Sequence, residues 1–262
     1  MSLWRRRQLF EFQDQPWFPD VIREGQVEVL SRATRSSGLA DALVPAFADL
    51  VDETRPRAIL DLCSGGGGPV VALLEAVAAS GRRPPPVLLS DLYPNPAAWG
   101  RLRDRWPERV DFVTEPVDAT QLPASVDAEL VTIVNALHHF PMDTVEAIID
   151  QVTGRGASLF AAEGFPRSLL RAAAMWPALG IAWARNPFSC PHGGRAKALW
   201  SFGVPVLTVT GMWDWFASAL RIHEPDELLA VARRIAPQYR WSTGAGWYPP
   251  WGKAWHLSGT PR

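Results

Sequence analysis

The chain has 262 residues, 26 basic and 27 acidic side chains, and a net charge of −1. That balance excludes a global field favouring nucleic acid or a membrane surface, and no apolar run approaches the roughly 20 residues that a membrane-spanning helix needs. Two cysteines, Cys63 and Cys190, build no disulfide framework, which fits a reducing compartment. The residues after Trp4-Arg5-Arg6-Arg7 mix polar and aromatic side chains and contain no signal-peptide h-region, so a cytoplasmic location is expected. The length suits one large domain, or a domain with a lid. Thirteen tryptophans and 24 prolines point to extensive aromatic packing and much ordered loop.

Residues 1–19 read as aromatic and irregular, with Pro16 and Pro19 enforcing an extended path. Helices are predicted from Asp20 to Leu30 and from Leu39 to Leu50, where Leu39, Leu43, Phe47 and Leu50 fall near one face. Alternation then begins: strand Arg57 to Leu62, helix Val70 to Ala79, strand Val87 to Asp91, helix Pro96 to Trp106 and strand Val110 to Thr114. Strand Ala128 to Val134, helix Asp143 to Gln151 and strand Ala157 to Ala162 complete the series. This rhythm predicts an α/β, doubly wound, mostly parallel sheet covered on both faces.

Beyond Glu163 the pattern changes. Ser168 to Trp183 reads as a helix kinked at Pro177 and Gly180, and Arg185 to Arg195 as loop. Val204 to Val209 reads as strand or extended chain, Glu224 to Ile235 as helix with Pro225 in its first turn, and Tyr239 to Ser258 as an antiparallel hairpin. With that hairpin the sheet reaches seven strands. The expected organisation is a single domain: an N-terminal helical cover (1–52), a ligand-binding core (53–163), a lid insertion after the fifth strand (164–222), and a C-terminal helix and hairpin (223–262).

The chemistry concentrates at strand ends. Ala58 to Val71 reads AILDLCSGGGGPVV, a buried strand, four glycines and a helix, so bare backbone lets a nucleotide-like ligand approach closely. Asp91 ends the second strand, where a carboxylate can hold both hydroxyls of a ribose. Asp118 follows the third strand and could accept from an exocyclic amine or close an Asx turn. The fourth strand runs into VNALHHFP, which puts Asn135, His138 and His139 at the same rim. Imidazole titrates near neutrality, so the two histidines are candidates for proton transfer or for the pocket wall. Cys190 and His192 match no closed zinc spacing, and no metal is expected.

Taken together, ILDLCSGGGG, LLSDLYPN, VDATQLP and VNALHHFP resemble, in order and spacing, the class I S-adenosylmethionine-dependent methyltransferases. The resemblance covers roughly Leu39 to Glu163; Cys63 stands where that family usually has the first loop glycine. It implies S-adenosylmethionine as cofactor, S-adenosylhomocysteine as product, and a cofactor site of Asp61, Cys63, Gly65, Gly67, Asp91, Leu92, Asp118, Ala119 and Asn135. His138 and His139 are then the candidate catalytic residues. Trp17, Phe18, Trp176, Trp183, Phe188 and Arg221, outside the core, are candidates for the acceptor site, which the aromatic flanks suggest is small or lipid-like and largely apolar. The expected partner is therefore a small-molecule acceptor, with no nucleic acid and at most weak contact of Trp4 and Arg5 to Arg7 with an anionic surface. The alternatives are a non-methylating reaction on the same scaffold, a non-catalytic cofactor-binding protein, and a nicotinamide enzyme, whose G-x-G-x-x-G spacing the chain lacks.

Overall fold

The short apolar runs between glycine and proline turns become the interior of one sheet. The computed structural model describes residues 5–124, 128–168, 205–249 and 252–262, together with 170, 173, 174, 177, 180, 181 and 183. Its strands are β1 (Ile59–Asp61), β2 (Val87–Leu89), β3 (Val110–Phe112), β4 (Leu130–Val134), β5 (Ser158–Glu163), β6 (Tyr239–Tyr248) and β7 (Gly252–Pro261). The helices among the described residues are α1 (Asp20–Ser36), α2 (Leu39–Thr54), α3 (Gly68–Ala79), α4 (Pro96–Arg105), α5 (Met142–Gly154), α6 (Val206–Arg221) and α7 (Pro225–Ile235). The sheet has seven strands in the order β3-β2-β1-β4-β5-β7-β6. The first five pair in parallel, and β7 runs antiparallel between β5 and β6. The doubly wound, mostly parallel seven-stranded sheet expected from the sequence is thus the observed fold.

Two compact units make up the chain: Met1–Ala33 with Arg167–Ile222, and Thr34–Pro166 with His223–Arg262. The larger unit carries the sheet. Strands β1 and β4 are buried along their whole length, as parallel strands covered on both faces must be. Leu43, Phe47, Leu74, Leu89, Leu130 and Phe160 share its core. Phe47 of α2 meets Phe160 edge-on at 5.0 Å, and His256 of β7 stacks on Phe160 at 5.5 Å. Burial holds the His256 imidazole below its ordinary pKa, as an apolar stacking partner should. The hydroxyl of Tyr239, opening β6, donates to the carbonyls of Thr153 and Ala157, each at 3.1 Å, which fastens the hairpin to the turn after α5.

The smaller unit has its own core of Phe18, Ile22, Val29, Trp183 and Leu207. Its N-terminal segment is tied to α6 by buried polar groups. Asp214 accepts from the backbone amides of Phe12 at 2.7 Å and Gln13 at 3.1 Å. Arg221 pairs with Asp14 at 2.6 Å and Glu11 at 3.3 Å.

One sequence expectation is overturned outright. Val204 to Val209 was expected as strand or extended chain, yet Val206 opens a sixteen-residue helix. Its β-branched run favours a strand locally, but Leu207, Thr210, Gly211, Asp214, Ala217 and Ser218 bury one face at helical spacing, and tertiary packing overrides propensity. The predicted helix from Ser168 to Trp183 lies mostly, and the loop from Arg185 to Arg195 wholly, outside the described residues. The first three parallel strands are shorter than read: β1, β2 and β3 have three residues each.

Phe160 is fully buried between two aromatic partners. Phe160→Ala is expected to lower stability by about 3–5 kcal/mol, read from the midpoint of urea unfolding.

Candidate functional site

In a doubly wound sheet, ligands bind beyond the carboxyl ends of the strands, where the strand order reverses. Here the chain proceeds outward from β1 to β2 and β3, then crosses back to β4 on the other side of β1. The reversal therefore falls between β1 and β4. Cys63, two residues past β1, and Asn135, one past β4, are both non-glycine residues in the left-handed region, each with φ 57°. Such strain costs energy and persists only where surrounding bonds hold it. Those bonds are present: the Gly164 amide donates to Asn135 Oδ1 at 2.6 Å, and the Asn135 amide donates to the Ala162 carbonyl at 2.8 Å.

Asp61 organises the turn after β1. It is 3% exposed; its carboxyl accepts from the Ser64 hydroxyl at 2.6 Å and from the Thr132 hydroxyl of β4 at 2.6 Å. Its carbonyl accepts from the Ser90 hydroxyl at 2.8 Å. Burial, outweighing those hydrogen bonds and aided by the charge of Asp91, pushes the Asp61 pKa up to about 7. The Asp61 carboxyl is thus bonded to the glycine turn through one oxygen and to β4 through the other.

The four glycines divide their work. Gly65 has φ 52° and open space where a side chain would stand. Its amide donates to Asp91 Oδ2 at 2.8 Å. Gly67, with φ 75°, is enclosed: a Cβ there would lie 2.7 Å from Leu102 and 2.8 Å from Leu89. Gly65 thus leaves room at the rim, and Gly67 lets α4 close against β2. Asp91 is half-buried and also accepts from the Tyr93 amide, at 2.9 Å. Burial raises its pKa, against the opposing effect of these two amides and of nearby His139.

Leu92 is 47% exposed beside Asp91. Asp118 closes an Asx turn, accepting from the Thr120 amide at 2.8 Å and hydroxyl at 2.7 Å; Ala119 beside it is buried. Burial holds the Cys63 thiol well above its ordinary pKa, and the charges of Asp91, Asp61 and Asp118 add to it. All three carboxyls therefore act on one small region of the rim.

The histidine pair sits on a single 3-10 turn, Leu137–His139. His138 is 4% exposed. Its Nδ1 lies 2.9 Å from Glu163 Oε2, and its backbone amide donates to Glu163 Oε1 at 3.0 Å. A carboxyl that takes both bonds favours the tautomer protonated on Nδ1 and leaves the lone pair on Nε2. The His139 ring packs on His138 at 4.3 Å and is half-buried. Glu163, the last residue of β5, was missed in the sequence, where no local pattern joins it to His138. The register pairs Val134 with Ala162, so the next residues of two adjacent strands emerge together.

The candidate acceptor residues are scattered by comparison. Phe18 and Trp183 are buried in the core of the smaller unit. Trp17 is 67% exposed and touches Phe12 and Phe18 edge-on. Arg221 is engaged by Glu11 and Asp14. Trp176 and Phe188 lie outside the described residues.

A sheet of this strand order, with β7 reversed and a glycine turn after β1, has the fold of methyltransferases of known structure. Solved structures agree. The fold matches a protein of Nostoc punctiforme PCC 73102 provisionally named an O-methyltransferase, with TM-score 0.52 and 14% identity over 97% of this chain and 64% of that one. It also matches the plantazolicin methyltransferase BpumL in complex with S-adenosylhomocysteine, with TM-score 0.54 and 11% identity over 95% and 94% of the two chains. The chain thus spans less than two thirds of the Nostoc protein. No family model and no curated protein matches it. No helix among the described residues is long and apolar enough to cross a membrane.

The raised pKa of Asp61 sets a pH dependence. The folded state retains a proton up to about 7, whereas the unfolded chain releases it near 3.8, so the Asp61 contribution to stability falls as pH rises through that window. Asp61→Asn keeps one acceptor and cannot ionise. Its unfolding free energy is expected to fall less steeply than that of the wild type between pH 4 and 7, as measured by denaturant titration across roughly that range.

Proposed function

We propose that this protein transfers a methyl group from S-adenosylmethionine to a hydroxyl of a small, largely apolar acceptor, with His138 as general base. One observation carries the reading: at a single sheet edge, a negatively charged, glycine-lined rim stands beside a buried imidazole held in one tautomer by Glu163. Burial is the main cause of the raised pKa of Asp61 and of Cys63, and the neighbouring carboxyls add to it, so this rim favours a ligand bearing positive charge. A sulfonium with an ammonium group meets that demand; the diphosphate of a nicotinamide cofactor would oppose it.

When bound, S-adenosylmethionine supplies an electrophilic methyl group and leaves as S-adenosylhomocysteine. In this reading Asp91 accepts from the ribose hydroxyls, and exposed Leu92 with Ala119 offers apolar surface to the adenine. Asp118 keeps a carboxyl oxygen for the exocyclic amine, because its Asx turn uses only the other. Gly65 leaves room for the methionine portion and Asn135 borders it, while Asp61 and Gly67 hold the loop from beneath. His138 Nε2 takes the proton from the acceptor hydroxyl as the oxygen attacks, and Glu163 stabilises the resulting imidazolium through Nδ1–H. His139 packs on His138 and forms part of the wall. A hydroxyl is favoured over a carbon acceptor because its oxygen must lose a proton as it attacks, and an imidazole at this rim can take it. Five of the thirteen tryptophans fall within 164–222, which supports an apolar acceptor of modest size.

The test is incubation with methyl-labelled S-adenosylmethionine and a panel of phenols, hydroxy acids and amines. Label is expected in a hydroxyl-bearing acceptor. His138→Ala should lower kcat by about 10²–10⁴-fold at saturating cofactor. Glu163→Gln, which keeps a hydrogen-bond acceptor for Nδ1, should lower it less. Cofactor binding with no label in any acceptor would sink the catalytic reading, and Asp91→Ala with undiminished affinity would sink the ribose assignment.

A further inference from the structure

One buried side chain of α4 reaches into the glycine turn. Trp99 is 0% exposed, and its indole Nε1 donates to the Gly65 carbonyl at 2.9 Å. The Gly65 amide donates in turn to Asp91 Oδ2 at 2.8 Å. Gly65 is therefore gripped on both sides of its Cα, by the end of β2 and by α4, and the two bonds together fix its rotations at φ 52°. The indole itself is immobilised. It lies 3.4 Å from where a Gly67 Cβ would stand, beside Leu89 and Leu102, and its ring meets Phe112 at 5.7 Å.

The peptide joining Gly65 to Gly66 is planar and trans, so its C=O and N–H point in opposite directions. With the Gly65 carbonyl turned onto Trp99, the Gly66 amide is turned away from α4. A Gly-Gly peptide has little steric preference of its own. The orientation of this amide therefore depends on what holds the carbonyl.

We propose that Trp99 is a positioning residue for S-adenosylmethionine: its indole N–H sets the Gly65–Gly66 peptide plane so that the Gly66 amide is presented to the cofactor as a preformed donor. The proposal rests on the cofactor reading given above. Trp99 acts through the loop. Without its hydrogen bond the peptide plane samples several orientations, and binding must then order it. The loss falls on cofactor affinity and on KM for the cofactor, while kcat at saturation is kept.

Two variants of the full chain remove the donor while keeping the ring: Trp99→Phe, and replacement of Trp99 by benzothienylalanine, an isostere with sulfur in place of N–H. Isothermal titration with S-adenosylhomocysteine is expected to show about tenfold weaker binding for both, the worth of one hydrogen bond. The isostere should keep the wild-type urea midpoint. In protein labelled with 5-fluorotryptophan, the ¹⁹F resonance missing from Trp99→Phe should shift when S-adenosylhomocysteine is added to the wild type. Isostere affinity within twofold of wild type would overturn the positioning role and leave the cofactor reading standing, even if Trp99→Phe fails to fold. A lower urea midpoint with unchanged affinity would assign Trp99 to packing alone. Wild-type protein that binds neither S-adenosylmethionine nor S-adenosylhomocysteine would overturn the cofactor reading, and this proposal with it.

Discussion

A single buried carboxyl ties the functional rim together. Asp61 reaches Thr132 on β4 through one oxygen and Ser64 of the glycine turn through the other, while its carbonyl holds Ser90 past β2. Three neighbouring strands are thereby joined where they stop pairing as a sheet. Beyond that point the backbone must leave the ladder, turn sharply and still satisfy its polar groups. The left-handed turns at Cys63 and Asn135 fall on either side of this junction. Burying an acid there is unfavourable in itself, and its hydrogen bonds only partly offset the desolvation, as the raised pKa records.

The same placement gives the rim its electrical character. Asp91 and Asp118 stand close enough to Asp61 and Cys63 to disturb the ionisation of the thiol. Those carboxyls, beside a histidine in contact with Glu163, set this edge of the sheet apart from ordinary strand ends. Fold alone would not distinguish a methyl donor site from other nucleotide sites on doubly wound sheets.

Much of this was legible in the sequence, because the signals are local. The alternation of apolar runs with helical patterns revealed the sheet, and the glycine run with Asp91 and the histidine pair marked its rim. What escaped the sequence depends on contacts between distant segments. Glu163 reads as the acid that punctuates a strand; only the parallel register of β4 and β5 brings it to His138, 25 residues away. Val206 to Val209 reads as a strand because β-branched residues cluster there, and the helical face of α6 appears only from its buried positions. Gly67 reads as a ligand-contacting glycine like Gly65, since a sequence cannot tell a glycine that faces open space from one pressed against Leu89 and Leu102. Phe18 and Trp183 look like pocket aromatics for the same reason; their partners Ile22, Val29 and Leu207 come from separate segments.

The reversed strand β7 has a consequence for the order in which the site can be made. Glu163 pairs with Trp255, and the Gly164 carbonyl accepts from the Tyr248 hydroxyl. The outer edge of β5, from which Glu163 addresses His138, is thus completed by residues made about ninety positions later. A nascent chain that has already emerged through Gly164 holds every residue of the rim and yet lacks the hairpin that fixes one of them. During synthesis, β5 remains an unpaired apolar edge until β7 appears, exposed to pairing with other chains. Glu163 and the strand that protects it are therefore separated by nearly a hundred residues of translation, and the geometry around His138 matures only when the sheet closes its exposed flank.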